Sequence, residues 1–354
     1  MESSVLRNKV GSSLYKAYEF VKIQHEKNYP LDRHIMSKEG TNAWLGGYAK
    51  VFSQDGKELL SKYGNREHSG HIFQRMVITE NIYLEDYEVH KISTENLNRV
   101  LSLKDSDGWR YFEDFKPLPP DSDDLAQILK VACLWGSTDQ ISMVIEELQI
   151  LSKNIRDNGS INTWLLSDPA ESDFTSKFWG RGYGGTEDSE VVANVVTALS
   201  MLSKLNQMAL IVFKERLNDI LEFLISKQEP EGFWKSTWYF GPYYGTYHCL
   251  RAINGGHQLK RVNDKSIRFL SSIGAKGDYG DSLSTALAIS SGSILGMSLE
   301  KSVSVLLDQQ SREGSWPAAQ WIDTHQNDGI IVGGQTITTS YCIKALTDYL
   351  GLKR

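Results

Sequence analysis

The sequence is poor in cysteine and has no long apolar stretch, and both absences exclude classes of protein. Its three cysteines, Cys133, Cys249 and Cys342, are far apart and odd in number, so we expect no disulfide framework and a reducing compartment, the cytoplasm. No apolar run reaches the ~18 residues that a membrane-spanning helix needs, and the first residues are too polar for a secretory signal. The formal net charge of -6 excludes a dedicated nucleic-acid-binding protein, which requires a basic face.

Many of the tryptophans and glycines that are present fall in a recurring phrase. Residues 228–234 read QEPEGFW and residues 310–316 read QSREGSW, and both have the form Gln-x-x-x-Gly-x-Trp. Weaker versions of the phrase occur at 107–109, 158–160 and 276–279. Because each phrase lies shortly before a helical pattern, the sequence predicts a repeat architecture.

Two kinds of helix alternate along the chain. The first kind has a charged face and apolar residues three and four positions apart, which is typical of a helix with one side in solvent. It is predicted at 10–25, 56–80, 140–151, 213–225, 265–273 and 299–309. The second kind is rich in Ala, Ser, Thr and Gly, which suit close packing around an axis. Its helices are predicted to begin near Gly40, Asp121, Asp188, Tyr243, Asp281 and Gln335.

This alternation predicts an all-α fold, an (α/α)6 toroid in which charged outer helices surround the small-residue inner helices. Closure of the ring buries the small-residue faces, which isolated hairpins cannot do. No Pro- or Ser-rich linker divides the chain, so we expect a single domain over residues 1–354. An open helical solenoid is the alternative architecture.

The Gln-x-x-x-Gly-x-Trp phrase resembles the repeat of the squalene and oxidosqualene cyclases, which are class II terpene cyclases. Three further segments resemble that family's catalytic barrel in the same order along the chain. They are GW followed by PPDSDD at 119–124, EVVAN at 190–194 and GFWKSTWYFGPYYGT at 232–246. The resemblance covers roughly residues 100–350 and implies the helical toroid shared by terpene cyclases and protein prenyltransferases.

By this resemblance, Asp123 is the general acid that protonates the end of an isoprenoid chain, while Asp121 and Asp124 orient it and balance its charge. An acid with this task must be held protonated, and clustered carboxylates help because like charges disfavour double ionisation. The same segment is also a good helix start, since Ser and Asp cap helices and acids are favoured in the first turn. The sequence leaves both roles open.

Carbocations formed after protonation need stabilisation without a nucleophile, which aromatic faces provide. Besides the acid motif, the candidate cavity and substrate-binding residues are Trp109, Tyr111, Phe112, Glu190, Asn194, Trp238, Tyr243 and Tyr244. For Trp234 and Trp316 we expect a structural role instead, because in the family the repeat phrase ties helix ends to turns.

Several departures from the family bear on the substrate. Complete triterpene cyclases have two helical barrels and an apolar patch for the membrane surface, whereas this chain has enough residues for one barrel. Asn194 stands where the family often has His, and Leu125 where it usually has Thr. These departures favour a small apolar or amphipathic substrate over a triterpene, with a protein partner in place of the second barrel as a further expectation.

We expect neither a cofactor nor a metal. The close pair His248 and Cys249 occupies adjacent helix positions about 100° apart, which rarely share a metal. Two other functions stay open: a glycoside hydrolase or lyase on an (α/α)6 toroid with paired carboxylates, and a non-catalytic toroid that binds an isoprenoid or a partner. Buried unpaired carboxylates are costly, and a binding module has no need of three of them. The preferred prediction is therefore acid-initiated cyclisation or isomerisation of an isoprenoid.

Overall fold

A computed structural model describes residues 2–51, 55–84, 86–166, 187–205, 211–254, 258–274, 276–323 and 331–352, and most of them are helical. The helices of the first half are α1 Glu2–Glu26, α2 Lys38–Val51, α3 Asp55–Tyr63, α4 Ile72–Asn81, α5 Tyr87–Leu101, α6 Ser122–Trp135, α7 Thr138–Glu146 and α8 Leu148–Lys153. Those of the second half are α9 Ser189–Leu205, α10 Ile211–Lys214, α11 Leu217–Ser226, α12 Tyr243–Ile253, α13 Leu259–Ile273, α14 Ser282–Ile294, α15 Glu300–Asp308 and α16 Gln335–Leu350. Two small antiparallel pairs join β1 His34–Met36 to β2 His68–Gly70 and β3 Ile322–Asp323 to β4 Ile331–Val332.

Six of the described helices form a closed ring. Going round it, α4 packs on α6, then α6 on α9, α9 on α12, α12 on α14, α14 on α16, and α16 returns to α4. Helices α5, α7, α11, α13, α15 and α1 pack against the outside of this ring. The predicted all-α toroid is confirmed, and the open solenoid is wrong because the last inner helix contacts the first.

One inner helix is not where the sequence places it. The helix predicted to begin near Gly40 is α2, which pairs with α3 in an excursion outside the ring. The ring position belongs to α4, inside the stretch 56–80 that was predicted to be an outer helix. Every residue of α4 is buried, including Arg75 and Glu80. These two charged residues led to the prediction of a solvent-facing helix. In the structure both are buried with polar partners, Arg75 with Asn96 and Glu80 with Lys130.

The repeat phrases tie each turn to the outer helices. The indole N–H of Trp234 donates to the Leu224 carbonyl at 2.7 Å, and that of Trp316 donates to the Leu306 carbonyl at 2.6 Å. At Gly232, with φ +104°, an added Cβ would lie 2.2 Å from the Lys265 carbonyl oxygen, so only glycine allows this approach. The structural role predicted for these two tryptophans is confirmed.

The last repeat phrase attaches the first helix of the chain, α1, to the outside of the ring. Gln310 donates to the carbonyl of Ser13 at 3.0 Å and accepts from its hydroxyl at 2.7 Å. Gly314 packs against the backbone of Lys16 on the same helix α1. None of the described helices is long and apolar enough to cross a membrane.

Candidate active site

The acid motif lies at the start of inner helix α6, and one of its members caps that helix. Asp121 has extended backbone dihedrals, and its Oδ1 accepts the Asp124 backbone N–H at 2.7 Å. Neighbouring backbone bonds hold this start in place, since Ser122 donates its N–H to the Thr163 carbonyl at 2.8 Å. The helix cap predicted from the sequence is therefore real, and Asp121 provides it.

Asp123 has a different role, because its carboxylate points to other elements of the ring. Its Oδ1 accepts the Asn194 side-chain N–H at 2.7 Å, and its Oδ2 accepts the Tyr239 hydroxyl at 2.6 Å. Asn194 lies on α9, and Tyr239 lies in the segment before α12. Asp123 therefore contacts Asn194, one of the candidate residues from the sequence, and Asp123 is 8% exposed.

Burial makes the cluster weakly acidic. It raises the pKa of Asp123 to about 6, although the hydrogen bonds from Tyr239 and Asn194 and the charge of Lys130 lower it. Burial raises the pKa of Asp121 to about 7. The cluster can therefore hold protons at pH values where exposed carboxyls are ionised.

Asp124 is the member that keeps its proton most firmly. It is fully buried, and no donor to either carboxyl oxygen is found in the described part of the chain. Burial and the adjacent charge of Asp121 raise its pKa well above the ordinary value. A protonated Asp124 can donate to Asp121, so the pair shares a proton while Asp121 caps the helix.

Tyr239, whose hydroxyl donates to Asp123, belongs to a group of packed aromatic rings. Tyr239 stacks on Tyr244 with ring centroids 3.5 Å apart, and its ring is also close to Trp321 at 5.8 Å. Phe73 of α4 stacks on Trp321 at 5.8 Å. These rings have electron-rich faces that can stabilise a cation, and Tyr239 connects them to Asp123.

Glu190 positions the segment that carries Tyr239. Its Oε1 accepts the backbone N–H groups of Thr237 at 2.6 Å and Trp238 at 3.0 Å. On the other side, the Phe240 N–H donates to the Trp321 carbonyl at 2.7 Å. Glu190 is fully buried, and burial, with the neighbouring Asp188, raises its pKa to about 8.

Trp238, the neighbour of Tyr239 in the chain, belongs to a second group of side chains near the acid motif. Its indole N–H donates to Asp188 Oδ2 at 3.2 Å, and the same oxygen accepts the Thr163 hydroxyl at 2.5 Å. The ring of Trp238 lies edge-on to Trp164 at 6.0 Å. Trp164 in turn pairs its backbone with Asp121, so this group of side chains lies next to the acid motif.

Tyr111 and Phe112 belong to the same region. Burial raises the pKa of Tyr111 well above its ordinary value, and the carboxyl groups of Asp124 and Asp121 act in the same direction. The Tyr111 hydroxyl accepts from Gln74 at 2.6 Å. The ring of Phe112 lies edge-on to Tyr111 at 5.0 Å.

Two predicted cavity residues lie elsewhere. The Trp109 indole N–H donates to the Val100 carbonyl at 2.8 Å, which is the bond made by Trp234 and Trp316 in the repeat phrases. The Tyr243 ring packs against Phe269 of α13 and edge-on to Tyr279. The structure therefore brings Tyr244, and not its neighbour Tyr243, to the acid cluster.

Sequence reasoning missed several residues that contact the acid motif or pack against its partners. Tyr239, Trp321, Phe73 and Trp164 were not among the candidates, and neither was Lys130, which donates to Asn194 Oδ1 at 2.9 Å. Tyr239 lies within the 232–246 segment that was singled out, so its phenol could have been considered. The other four have no local signal, because the folded ring alone brings them together.

A metal site is not formed by the described residues, since no three of their His, Cys, Asp or Glu side chains are arranged to hold an ion. The polar groups of the cluster bond to one another instead. Asp123, Asn194 and Tyr239 form a chain of hydrogen bonds, which holds groups that can donate or accept a proton in fixed positions.

Comparison with solved structures identifies proteins of related fold. No family model matches the chain, and no curated protein matches its sequence. Among solved structures, it is similar to the type II terpene cyclase MstE from Scytonema in complex with geranylgeranyl dihydroxybenzoate, described as its substrate. The TM-score is 0.68 at 16% identity, over 99% of this chain and 100% of that one.

Two further structures have related folds. A protein from Actinoplanes aligns with a TM-score of 0.66 at 16% identity, over 96% of this chain and 99% of that one. The ent-copalyl diphosphate synthase from Streptomyces platensis aligns with a TM-score of 0.57 at 16% identity, over 79% of this chain and 50% of that one. The chain therefore has the helical toroid fold of the type II terpene cyclases.

Proposed function

We propose that this protein is a class II terpene cyclase-like enzyme that starts cyclisation or isomerisation of an isoprenoid by protonating it. The observation that carries the proposal is the Asp123 carboxyl, buried at the start of an inner helix and bonded by Asn194 and Tyr239 beside stacked aromatic rings. The fold shared with MstE, whose complex contains a geranylgeranyl compound, supports an isoprenoid as the substrate class.

The proposed reaction uses Asp123 as a general acid. Its O–H bond breaks as the proton adds to the less substituted carbon of the alkene at the chain end, which leaves a tertiary cation, and the electron pair of the O–H bond stays on the carboxylate oxygen. The resulting cation is attacked by a neighbouring alkene of the same chain, and the rings of Tyr239, Tyr244 and Trp321 stabilise the charge. Loss of a proton to water ends the sequence and Asp123 takes a proton back from solvent, so the acid is regenerated and the product has the formula of the substrate.

Asp121 and Asp124 support this step without touching the alkene. Their shared proton keeps the net charge beside Asp123 low, which leaves room for the negative charge that Asp123 acquires. Asn194 and Tyr239 donate to both oxygens of that carboxylate, and hydrogen bonds to an ionised acceptor are the stronger kind.

The buried setting favours this chemistry over the alternatives. A glycosidase needs its carboxyls in an open cleft that accepts a sugar and a water, whereas Asp123 is buried and bonded to Asn194 and Tyr239. A binding module has no use for three buried acids, whose desolvation is costly. The cytoplasmic location and a protein partner replacing a second barrel stay predictions.

Solvent deuterium provides the direct test. The purified protein is incubated in D2O with linear isoprenoids of increasing length, including geranylgeranyl dihydroxybenzoate and geranylgeranyl diphosphate, and products are analysed by mass spectrometry. We expect a cyclic product that carries one deuterium from the exchanged Asp123 carboxyl. Tight binding without turnover would support the binding module instead, and release of sugars from glycans would support the hydrolase.

A further inference from the structure

A buried ion cluster lies inside the ring, further along the inner helices than the acid motif. Lys130 of α6 is fully buried, and its Nζ lies 3.1 Å from Glu80 of α4. Arg251 of α12 contacts the other oxygen of Glu80 at 2.5 Å. Lys130 follows Asp123 by two helical turns, about 10 Å along the axis, so the two side chains point to the same side of α6.

Asn194 connects this ion cluster to the proton donor. Lys130 donates to Asn194 Oδ1 at 2.9 Å, and Asn194 Nδ2 donates to Asp123 Oδ1 at 2.7 Å. An ammonium has only donors, so it forces the amide oxygen of Asn194 towards itself. The amide N–H groups must then face Asp123, and the hydroxyl of Tyr244 at 3.4 Å.

The charges in this part of the ring do not balance among themselves. Glu80 is one carboxylate between two cations, Lys130 and Arg251. The other buried lysine in the ring, Lys344, has its own partner in Asp348. These three cations thus exceed the two carboxylates Glu80 and Asp348 by one charge. Asn194 connects Lys130 to Asp123, so the carboxylate that Asp123 becomes after it gives up its proton can offset this charge.

Lys130 keeps its charge near neutral pH. Burial lowers its pKa to about 8, with Arg251 acting in the same direction, while Glu80 and Asp123 act against the shift. His248 of α12 is also close, but burial and the surrounding cations lower its pKa well below the ordinary value, so it adds no charge. The neighbour from α9 is Asn194, which does not titrate.

We propose that Lys130 is a positioning residue for the proton donor: it orients the Asn194 amide towards Asp123 and supplies the positive charge that favours the carboxylate formed by proton transfer. Together, Lys130 and Asn194 do what one cationic side chain beside Asp123 would do, because Asn194 contacts the acid and Lys130 supplies the positive charge. The inference rests on the proposed function for its effect on turnover, but its effect on Asp123 is independent of the substrate.

The test measures the acid directly as well as the reaction. The infrared carboxyl band of protonated Asp123 is identified by its loss in Asp123→Asn and is then followed against pH in wild type, Lys130→Met and Lys130→Arg. We expect Lys130→Met to move the midpoint of this band upwards by about one unit, because a favourable charge is removed. On a substrate that wild type converts, kcat should fall about tenfold with KM unchanged, since a weaker acid transfers its proton more slowly.

Two variants separate this role from a structural one. Lys130→Arg keeps the charge and a donor, so it should restore most of kcat and the wild-type midpoint. Lys344→Met removes a buried lysine that does not bond to Asn194, so it should leave the Asp123 midpoint in place. A folded Lys130→Met protein with an unmoved midpoint would overturn the proposal.

If Lys130→Met does not fold, Lys130→Gln takes its place, because it keeps a donor for Asn194 while it removes the charge. The same upward shift is expected, and an unmoved midpoint would again overturn the proposal. If wild type converts no isoprenoid, the proposed function fails, and the infrared titration still decides the role of Lys130.

Discussion

Two inner helices on opposite sides of the ring begin with the same kind of cap and differ in the acids of their first turns. Asp121 caps α6 by accepting the Asp124 N–H at 2.7 Å, and Asp281 caps α14 by accepting the Ser284 N–H at 2.8 Å. Both caps have extended backbone dihedrals. Yet α14 has no acid in its first turn, whereas α6 has Asp123 and Asp124 there.

This difference distinguishes helix capping from a second role of the acids, two roles that the sequence alone left open. Capping a helix takes one carboxylate, and the start of α14 shows that it needs no others. The two extra acids of α6 are buried at a cost that capping does not offset. Asp123 instead bonds to groups from α9 and from the segment before α12, which is what a reactive acid in a prearranged site requires.

The largest effect should come from changing the acid Asp123 of α6, whereas the same change at the cap of α14 should have none. Asp123→Asn keeps shape and hydrogen-bonding capacity but removes the acidic proton, so we expect cyclisation to fall by at least about 10²-fold, the lower range for loss of a general acid. Asp281→Asn should leave turnover unchanged, because Asn is itself a good cap. Steady-state kinetics and thermal unfolding of both variants measure this contrast.

One outcome would break the comparison between the two helix starts. A folded Asp123→Asn protein with full turnover would reduce Asp123 to a residue of the helix start like those of α14. Unfolding of Asp123→Asn would be uninformative alone, so Asp123→Glu is the companion variant. It keeps an acid but shifts its oxygens, and it should retain more activity than Asp123→Asn.

The pH dependence of turnover should distinguish the acid cluster from an ordinary helix start. Burial raises the pKa of Asp123 to about 6, and in the proposed mechanism the protonated form is the active one. Activity should therefore be constant below this pH and fall about tenfold per unit above it. The profile is measured as kcat against pH with circular dichroism as a check on folding. Activity that rises through this range would mean that the carboxylate acts as a base.

Tyr239→Phe should change the pKa of Asp123 while it leaves the carboxyl group in place. The phenol donates to Asp123 Oδ2 at 2.6 Å and so favours the ionised form. Its loss should raise the pKa of Asp123 and lower kcat by about three- to tenfold, the worth of one hydrogen bond. The break in the kcat profile should move to higher pH. Tyr243→Phe, whose ring faces Phe269 and Tyr279, is the matched control and should change neither.

Periodicity and the repeat phrase were enough to predict the ring, because both are local. Trp234 and Trp316 bond to a helix ten residues earlier in the chain, and such short-range features are legible in sequence. The start of α6 was legible for the same reason. The exception is α4, whose charged residues hide a buried helix, since their partners lie on α5, α6 and α12.

The rest of the site could not be predicted, because its contacts span the ring. Asp123 and Tyr239 are 116 residues apart in sequence, and Lys130 reaches Asn194 across 64. A lysine in an apolar helix pattern reads as an exposed residue, and its full burial depends on the position of Glu80 in the folded ring. Trp109 shows the opposite error, since an aromatic beside the acid motif in sequence proved to hold a turn.

The smallest effect is expected from removing the cap of α14 altogether. In Asp281→Ala the Ser284 N–H and hydroxyl lose the carboxylate oxygens that they contact at 2.8 and 3.0 Å. Loss of an N-cap of this kind costs about 1 kcal/mol, so the free energy of unfolding should fall by that amount in urea titrations while kcat and its pH profile stay as in wild type. Asp281 is only partly buried, which allows water to replace part of the lost bonding. A loss of turnover in Asp281→Ala that exceeds its loss of stability would show that the second acid-capped helix also belongs to the site, and the distinction between the two helix starts would then have to be abandoned.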